Sequence, residues 1–216
     1  NIIWESIYKK NYNNKYPWDS IVSFIFKHKP KNKTNNNIKI LEVGCGSASN
    51  LWFAAREGFH VSGIDFSCSA IRFAKNRFKK NELNGNFIVG DFSKLPYKDN
   101  SFDLVIDRAS ITCVSYLEAN KTLSEINRVL KKNGKVIFTP YSINHSSYKE
   151  SKIKVKKSLN KINNGPISNV GYICFYSKKD IINIFKKWKI MSINHILNRD
   201  MIEKKDHASW EVIAKK

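Results

Sequence analysis

An α/β fold with a doubly wound, mostly parallel sheet is predicted for the chain from residue 38 onward. Three observations carry that expectation. Short apolar runs alternate with segments whose apolar residues recur at helical spacing, as strands covered by helices on both faces require. The first run, 38–43, ends in Gly44-Cys45-Gly46, a turn in which missing side chains let backbone N–H groups approach a ligand closely. Asp65 closes the second run 21 positions after Gly44, the spacing of a carboxylate that holds the ribose of a nucleoside.

Each element has its own local reason. Residues 38–43 form the first strand and 50–57 the helix after it, ended by Gly58. Residues 60–64 are the second strand. Ser69 is placed as the cap of a helix with Ile71, Ala74 and Phe78 on one face. Residues 86–89, between Gly85 and Gly90, form a short third strand, and 102–106 a fourth. A helix from Tyr116 carries Ala119, Leu123, Ile126 and Leu130 on one side. Lys131-Lys-Asn-Gly134 stops it, with cations at its negative end. Residues 135–139 are the fifth strand, stopped by Pro140. Ser177 and Asp180 have capping-box spacing ahead of a helix with Ile181, Phe185 and Trp188 inward. Residues 190–196 and 209–214 close the sheet.

Two segments stand outside the repeat. The first, 1–29, is rich in aromatics (Trp4, Tyr8, Tyr12, Tyr16 and Trp18), includes an apolar helix over 21–26, and joins the sheet through a polar linker, 31–37. The second, 141–176, interrupts the alternation; so long a loop is usually a lid or a binding element. The chain is therefore read as a single domain, 1–216, with an aromatic cap over 1–30 and a lid over 141–176.

Composition narrows the function. With 216 residues and 42% hydrophobic content the chain can build a proper core. No run of 18 apolar residues exists, so no membrane span is expected. No signal peptide is visible, although the chain does not begin with Met and a few residues are allowed to be missing. Cys45, Cys68, Cys113 and Cys174 are scattered without paired spacing, which reads as reduced thiols in a cytoplasmic protein with no metal site. Net charge is +20. Such a surface attracts phosphates, nucleic acid or acidic membranes. Yet 32 of the cations are Lys and only six are Arg, and Asn numbers 25, as an AT-rich coding sequence gives. Coding bias and selection for an anionic substrate both remain open; oligomeric state has no signal.

The cofactor turn admits two chemistries. A nicotinamide-dinucleotide fingerprint needs G-x-G-x-x-G, and Ser49 stands where its third glycine would be. The other pattern is acidic-x-G-x-G, with Glu42 two residues before Gly44. Four blocks in order resemble the class I S-adenosylmethionine-dependent methyltransferases: Glu42-Val-Gly-Cys-Gly-Ser-Ala48, Gly63-Ile-Asp-Phe66, Gly90-Asp-Phe-Ser-Lys-Leu-Pro96 and Asn100-Ser-Phe-Asp-Leu-Val-Ile-Asp107. The resemblance covers 38–140 well and the two ends weakly. It implies a Rossmann-like methyltransferase fold, a seven-stranded sheet whose last strand is antiparallel. It also implies S-adenosylmethionine as cofactor and S-adenosylhomocysteine as product.

The resemblance implies site residues too. Glu42 meets the cofactor's ammonium, Gly44 and Gly46 let its amino acid tail lie on the backbone, and Asp65 accepts from the ribose hydroxyls. Phe66 packs on the adenine, Asp91 accepts from its amino group, and the Phe92 amide donates to its ring. Asp107 closes the fourth strand near the transferred methyl. Ordinary roles compete: a salt bridge for Glu42, turns for Asp65 and Asp91, core packing for Phe66. Ala48 replaces a glycine common in the family, which is tolerable if its φ is negative.

Methyl transfer needs alignment and dry surroundings, and acid–base help only if the nucleophile must lose a proton. Asp107, His145 and, less strongly, Tyr141 are the candidate bases; Arg108 is a candidate anchor for an anionic acceptor. His195 and His207 read as structural. Nucleic acid is disfavoured, because Asp107-Arg-Ala-Ser110 replaces the Asn/Asp-Pro-Pro-aromatic motif of base-methylating relatives. The aromatic cap is either a lid or packing, and 149–161, with six lysines, either recruits a phosphorylated substrate or is a solvated flap. Tyr16-Pro-Trp-Asp19 and Asp107-Arg-Ala together resemble a bacterial branch that methylates surface polysaccharides or small metabolites. The expected acceptor is a sugar, nucleotide-linked sugar or phosphorylated precursor, methylated on oxygen. N-methylation of a metabolite or amino sugar is the alternative, and a non-catalytic nucleoside-binding module a third reading.

Overall fold

The computed structural model describes residues 2–10, 14–151 and 154–216. Helices α1 (Ile2–Lys9) and α2 (Asp19–His28) precede the sheet. The repeat then runs β1 (Lys39–Val43), α3 (Ser49–Arg56), β2 (His60–Asp65), α4 (Cys68–Lys80), β3 (Asn86–Val89), β4 (Phe102–Asp107), α5 (Tyr116–Val129) and β5 (Leu130–Phe138). After α6 (Ser146–Lys149) and the short strands β6 (Asn160–Lys161) and β7 (Tyr172–Ile173), the chain closes with α7 (Lys178–Ile184), β8 (Lys189–Asp200) and β9 (Lys205–Lys215). The seven-stranded sheet has the order β3-β2-β1-β4-β5-β9-β8. Neighbours from β3 to β5 pair in parallel, and β9 is antiparallel to both β5 and β8.

Side chains that alternate along the central strands sort themselves between two cores. Leu41, Val43, Val105, Val136 and Phe138 face α5 and α7, against Leu123, Ile126, Ile181 and Phe185. Ile40, Leu104, Ile106 and Ile137 face the other side, against Phe24, Leu51, Ile71 and Phe78 of α2, α3 and α4. That is the two-residue period of a pleated strand with apolar residues on both faces, which is why the strands read as unbroken apolar runs. Each fully buried aliphatic side chain contributes about 1.5–3 kcal/mol of transfer free energy. Asp103, buried at the start of β4, accepts from Lys33 Nζ (2.8 Å), Lys131 Nζ (2.6 Å) and the Lys39 N–H (2.9 Å). It thereby ties the starts of β1 and β5 to β4.

Several boundaries differ from expectation for identifiable reasons. The cap of α4 is Ser67, which accepts the Ala70 N–H at 3.0 Å; Ser69 lies inside the first turn. Helix α5 ends at Val129 and β5 begins at once at Leu130, so Lys131-Lys-Asn-Gly134 lies inside the strand expected only from 135. It is an irregular stretch within β5, with Asn133 at φ +68° and a register shift opposite β4. Strands β8 and β9 continue well past 190–196 and 209–214 as a hairpin, and much of β8 is exposed, so no apolar pattern marks its far half. The 141–176 segment holds α6 and a two-stranded sheet over a small apolar cluster of Ile162, Ile167, Ile173 and Phe175.

Strand order reverses between β1 and β4. Val43 is level with both Ile64 and Asp107 across the sheet, so the ends of β1, β2 and β4 share one edge. Open α/β sheets bind ligands at that kind of switch point.

Candidate active site

A cavity of about 350 Å³ lies at this edge. Gly44, Asp65, Phe66, Asp91, Phe92 and Arg108 line it. Trp4 and Tyr8 of α1 form another wall, and Ala109, Ser110, Cys113 and Val114 the remainder.

The glycine turn is held from both sides. Gly44 and Gly46 have φ of +63° and +52°, left-handed backbone that favours glycine. A Cβ on Gly44 would run into the Ser110 side chain, and one on Gly46 into the Tyr8 hydroxyl. Asp65 accepts the Gly46 N–H on one oxygen and the Ser67 N–H on the other, both at 2.9 Å. Burial raises the Asp65 carboxyl above its ordinary range, and those two donors oppose the rise. Ala48 departs from expectation, because its φ is +56°, a conformation that costs an alanine strain. Ala48 sits at the N-cap of α3 in that conformation, fully buried.

Glu42 lies behind the turn, 3% exposed. One of its oxygens accepts from Asn50 Nδ2 at 2.6 Å; the other is buried with no partner among the described residues. Burial pushes its carboxyl up to about 8, opposed by the Asn50 donor and reinforced by Asp107. Asn50 also accepts the Trp18 N–H at 3.0 Å, linking the start of α2 to Glu42. A bare carboxylate oxygen behind a side-chain-free turn fits the ammonium of an amino acid tail, and Asp65 and Phe66 on the adjoining wall fit a nucleoside. The residues present therefore fit S-adenosylmethionine. Asp91 lines the same wall while one oxygen accepts the Ser93 N–H at 2.8 Å, so its turn role and its exposure to the cavity coexist. Phe92 is both core and lining.

The β4 end corrects one candidate base. Asp107 is fully buried, and a single oxygen accepts from the Ser110 N–H (3.0 Å), the Ser110 hydroxyl (2.5 Å) and the Ile111 N–H (2.9 Å). It caps the turn after β4 and does not line the cavity. The same Ser110 hydroxyl lies 2.7 Å from the Val43 carbonyl, so its one proton is shared between that carbonyl and Asp107, joining the ends of β4 and β1. Arg108 does line the cavity, its guanidinium 3.8 Å from the Trp18 ring centroid. Ala109 holds a left-handed φ of +56° and donates its N–H to Thr139 Oγ1 at 2.9 Å. Cys113 is no base: burial pushes its thiol up to about 12.

His145 is a second correction. The sequence puts it on a loop reaching the acceptor, but its side chain is fully buried. Its Nδ1 accepts the Ser147 N–H at 3.1 Å, capping α6, and its Nε2 meets His207 Nδ1 at 3.2 Å. Burial and His207 hold it down at about 4. His207, read from sequence as structural, is thus brought to the pair from 62 positions away, with nothing local to announce it. His195 packs on Trp210 and hydrogen-bonds Ser142 Oγ at 2.9 Å, a structural role.

In the aromatic cap, Trp4 and Tyr8 reach the cavity, Trp18 stacks on Arg108, and Tyr16 is exposed; Tyr12 lies outside the described residues. Glu5 accepts from the Ser67 and Ser69 hydroxyls, each at 2.6 Å, and from the Ser69 N–H at 3.2 Å. Those donors hold its carboxyl down at about 2. In the lysine-rich flap, Lys149 pairs with Asp206 at 2.9 Å and Lys157 with Asp180 at 3.8 Å; Lys152 lies outside the described residues. Among the described residues, no group of three or more His, Cys, Asp or Glu is placed to hold a metal, and no helix is long and apolar enough to cross a membrane.

Comparison with known proteins agrees with this geometry. Residues 34–201 match the family model described as a methyltransferase domain. Norajmaline N-methyltransferase of Rauvolfia serpentina is 29% identical over 160 residues, covering 71% of this chain and 50% of the relative. Malonyl-[acyl-carrier protein] O-methyltransferase of Buchnera aphidicola subsp. Baizongia pistaciae is 33% identical over 137 residues, covering 56% and 52%. A solved S-adenosylmethionine-dependent methyltransferase from Methanosarcina mazei shares the fold, with a TM-score of 0.72 at 20% identity over 93% of this chain and 98% of that one. The chain spans about half the length of the curated relatives it matches. With the matching domain, the shared fold and a cavity whose walls suit the cofactor, the chain belongs to the class I S-adenosylmethionine-dependent methyltransferase family.

Proposed function

We propose that the chain transfers a methyl group from S-adenosylmethionine to a small anionic acceptor, on oxygen. The carrying observation is how the strand order divides one cavity: Gly44, Asp65, Phe66, Asp91 and Phe92 stand at the ends of β1, β2 and β3, and Arg108 stands past them at the end of β4. The cofactor supplies a methyl already activated by its sulfonium. The chain's own part is to position the acceptor and keep water out. Trp4, Tyr8 and Val114 make the cavity apolar enough for that second task.

An oxygen nucleophile is favoured by the charge around Arg108. Ala109, Ser110, Cys113 and Val114, which line the cavity beside it, offer no carboxylate to receive an ammonium. A sugar, nucleotide-linked sugar or phosphorylated precursor of a surface glycan remains our reading of the acceptor. It is supported by contact between the two motifs that suggested it, since Trp18 of one stacks on Arg108 of the other. The same reading treats 1–216 as one domain, with 1–30 as its cap and 141–176 as its lid. The four free cysteines support a reducing compartment, consistent with the cytoplasm.

Calorimetric titration with S-adenosylhomocysteine and with NAD tests the cofactor. Binding of the first and not the second is the expected result, weakened more than tenfold by Asp65→Ala, since a buried acceptor is lost. Absent binding, or binding indifferent to Asp65, rejects the reading. Radiolabelled methyl transfer to a panel of sugar phosphates and amino sugars then tests the acceptor and the atom methylated.

A further inference from the structure

A half-buried guanidinium with no direct ion pair among the described residues, though the charges of Asp107, Glu42 and Asp19 act on it from further off, invites the question of what completes it. Arg108 forms no ion pair among the described residues, although it lines the cavity and stacks on Trp18. A cation withdrawn from water is stable only when something replaces its hydration. Its position is built with care. Thr139 Oγ1 accepts the Ala109 N–H at 2.9 Å and donates to the Asp107 carbonyl at 3.1 Å, fixing the end of β4 against the end of β5. Tyr141, two residues past Thr139, packs edge-on against His145 and His207, with centroids 5.3 and 5.6 Å apart. Neither the Tyr141 hydroxyl nor His207 Nε2 has a hydrogen-bond partner among the described residues.

The hydrogen bonds of the histidine pair decide which nitrogen carries the proton. Ser147 N–H donates to His145 Nδ1, so that nitrogen presents a lone pair. Neutral His145 therefore carries its proton on Nε2 and donates it to His207 Nδ1 at 3.2 Å. Neutral His207 is left with its proton on Nε2, the nitrogen without a protein partner. Burial and the Arg108 charge both lower the pKa of His207, which keeps it neutral. Burial raises the Tyr141 phenol, opposed by Arg108, so its hydroxyl keeps its proton. Arg108 lines the cavity; Tyr141 and His207, packed on one another, lie behind that lining, near enough for the Arg108 charge to act on both, and none of the three has an acceptor among the described residues.

We propose that Arg108, Tyr141 and His207 form an oxyanion subsite for the methyl acceptor, taking a phosphate ester or a carboxylate, with buried His145 as the positioning residue that fixes His207 as a neutral N–H donor. This rests on the methyl-transfer reading and names the chemistry of its acceptor side. An oxyanion supplies both a directly bonded counter-ion for Arg108 and the acceptors that the other two donors lack. It also explains why His145 is buried and not at the cavity: its task is to hold a tautomer.

The test uses the full chain saturated with S-adenosylhomocysteine, titrated calorimetrically with inorganic phosphate and, separately, acetate. Failure of S-adenosylhomocysteine itself to bind sinks the methyl-transfer reading; the oxyanion arms judge the subsite. At least one oxyanion is expected to bind, phosphate the tighter if the acceptor is a phosphate ester and acetate if it is a carboxylate. Arg108→Gln should weaken that binding at least tenfold and His207→Phe about fivefold, a lost hydrogen bond of about 1 kcal/mol. Both variants should hold S-adenosylhomocysteine within threefold of the parent, and His207→Gln, which keeps a donor, should recover most of the oxyanion affinity. Nitrogen-15 spectra should show His207 protonated on Nε2. No binding of either oxyanion, affinities indifferent to both variants, or a His207 proton on Nδ1 would overturn the proposal.

Discussion

At the scale of the residue, Glu42 sits in a conflict that a ligand resolves. Its buried carboxyl is pushed up to about 8, so at neutral pH it is mostly protonated. A cationic tail beside its bare oxygen favours the ionised form and lowers that pKa on binding. The bound complex then holds fewer protons, and affinity must rise with pH until the free enzyme's value near 8 is passed. Calorimetry of S-adenosylhomocysteine between pH 6 and 8, in buffers of different ionisation enthalpy, should show net proton release from the parent and none in Glu42→Gln. Equal release in both would remove Glu42 from the tail site. Ala48 carries a different conflict, a left-handed φ in a fully buried alanine. Ala48→Gly relieves about 1–2 kcal/mol of strain and loses about 0.8 kcal/mol of methyl burial plus about 0.5–1 kcal/mol in chain entropy. Its stability in urea should therefore stay within about 1 kcal/mol of the parent, whereas Ala54→Gly, equally buried but inside α3, should cost about 1–2 kcal/mol. Similar losses at both positions would contradict the strain at Ala48.

Among the elements, α1 is the one whose attachment is chemically specific. Glu5 reaches across to the N-terminus of α4, where the Ser67 and Ser69 hydroxyls and the Ser69 N–H converge on its carboxylate. An anion there also meets the positive end of the helix dipole. The same helix carries Tyr8, whose hydroxyl covers Gly46. Opening α1 is therefore the expected route for cofactor exchange. Glu5→Ala should speed S-adenosylhomocysteine dissociation about fivefold in stopped flow, the effect of about 1 kcal/mol less attachment; an unchanged off-rate would show that α1 does not gate the site. None of this attachment was legible in the sequence, because Glu5 and Ser67 are 62 positions apart and a lone glutamate in an aromatic segment carries no signal. What was legible had local causes. The central strands announced themselves through apolar runs buried on both faces, and the capping box at Ser177 obeys a three-residue spacing. In the site, the glycine turn and Asp65 were readable because their spacing is local to one strand–turn–helix unit. His207 and Thr139 were not, because only the sheet's edge brings them beside Arg108 and Tyr141. Asp107 and His145 were misplaced as bases because sequence gives the residue type and not where the fold turns it: one Asp107 oxygen is taken by the turn after β4, the other is buried without a partner among the described residues, and both His145 ring nitrogens are engaged.

For the whole molecule, the dominant fact is an excess of positive charge. Lys and Arg number 38 against 18 Asp and Glu. Part of the acidic minority is spent inside the fold: Asp103 binds two lysines, Asp206 binds Arg199 and Lys149, and Glu42, Asp65 and Asp107 are buried. Most lysines are thus left to repel one another across a 25.0 kDa surface. Self-repulsion of that kind destabilises the compact state relative to the expanded chain. Salt screens it, because the Debye length shortens to about 10 Å at 0.1 M. The partly buried pairs at Asp103 and Asp206 weaken too, but each holds its partners at 2.6–3.0 Å, well inside that length, and loses far less. The sum has a definite sign: raising NaCl from about 10 to 150 mM should raise the melting temperature by a few degrees, as about 1 kcal/mol gained on a chain of this size gives about 2–4 °C. Calorimetric scans at fixed pH and protein concentration measure it. A melting temperature that falls with salt would mean that the ion pairs outweigh the repulsion, and that the lysines are arranged to stabilise the fold.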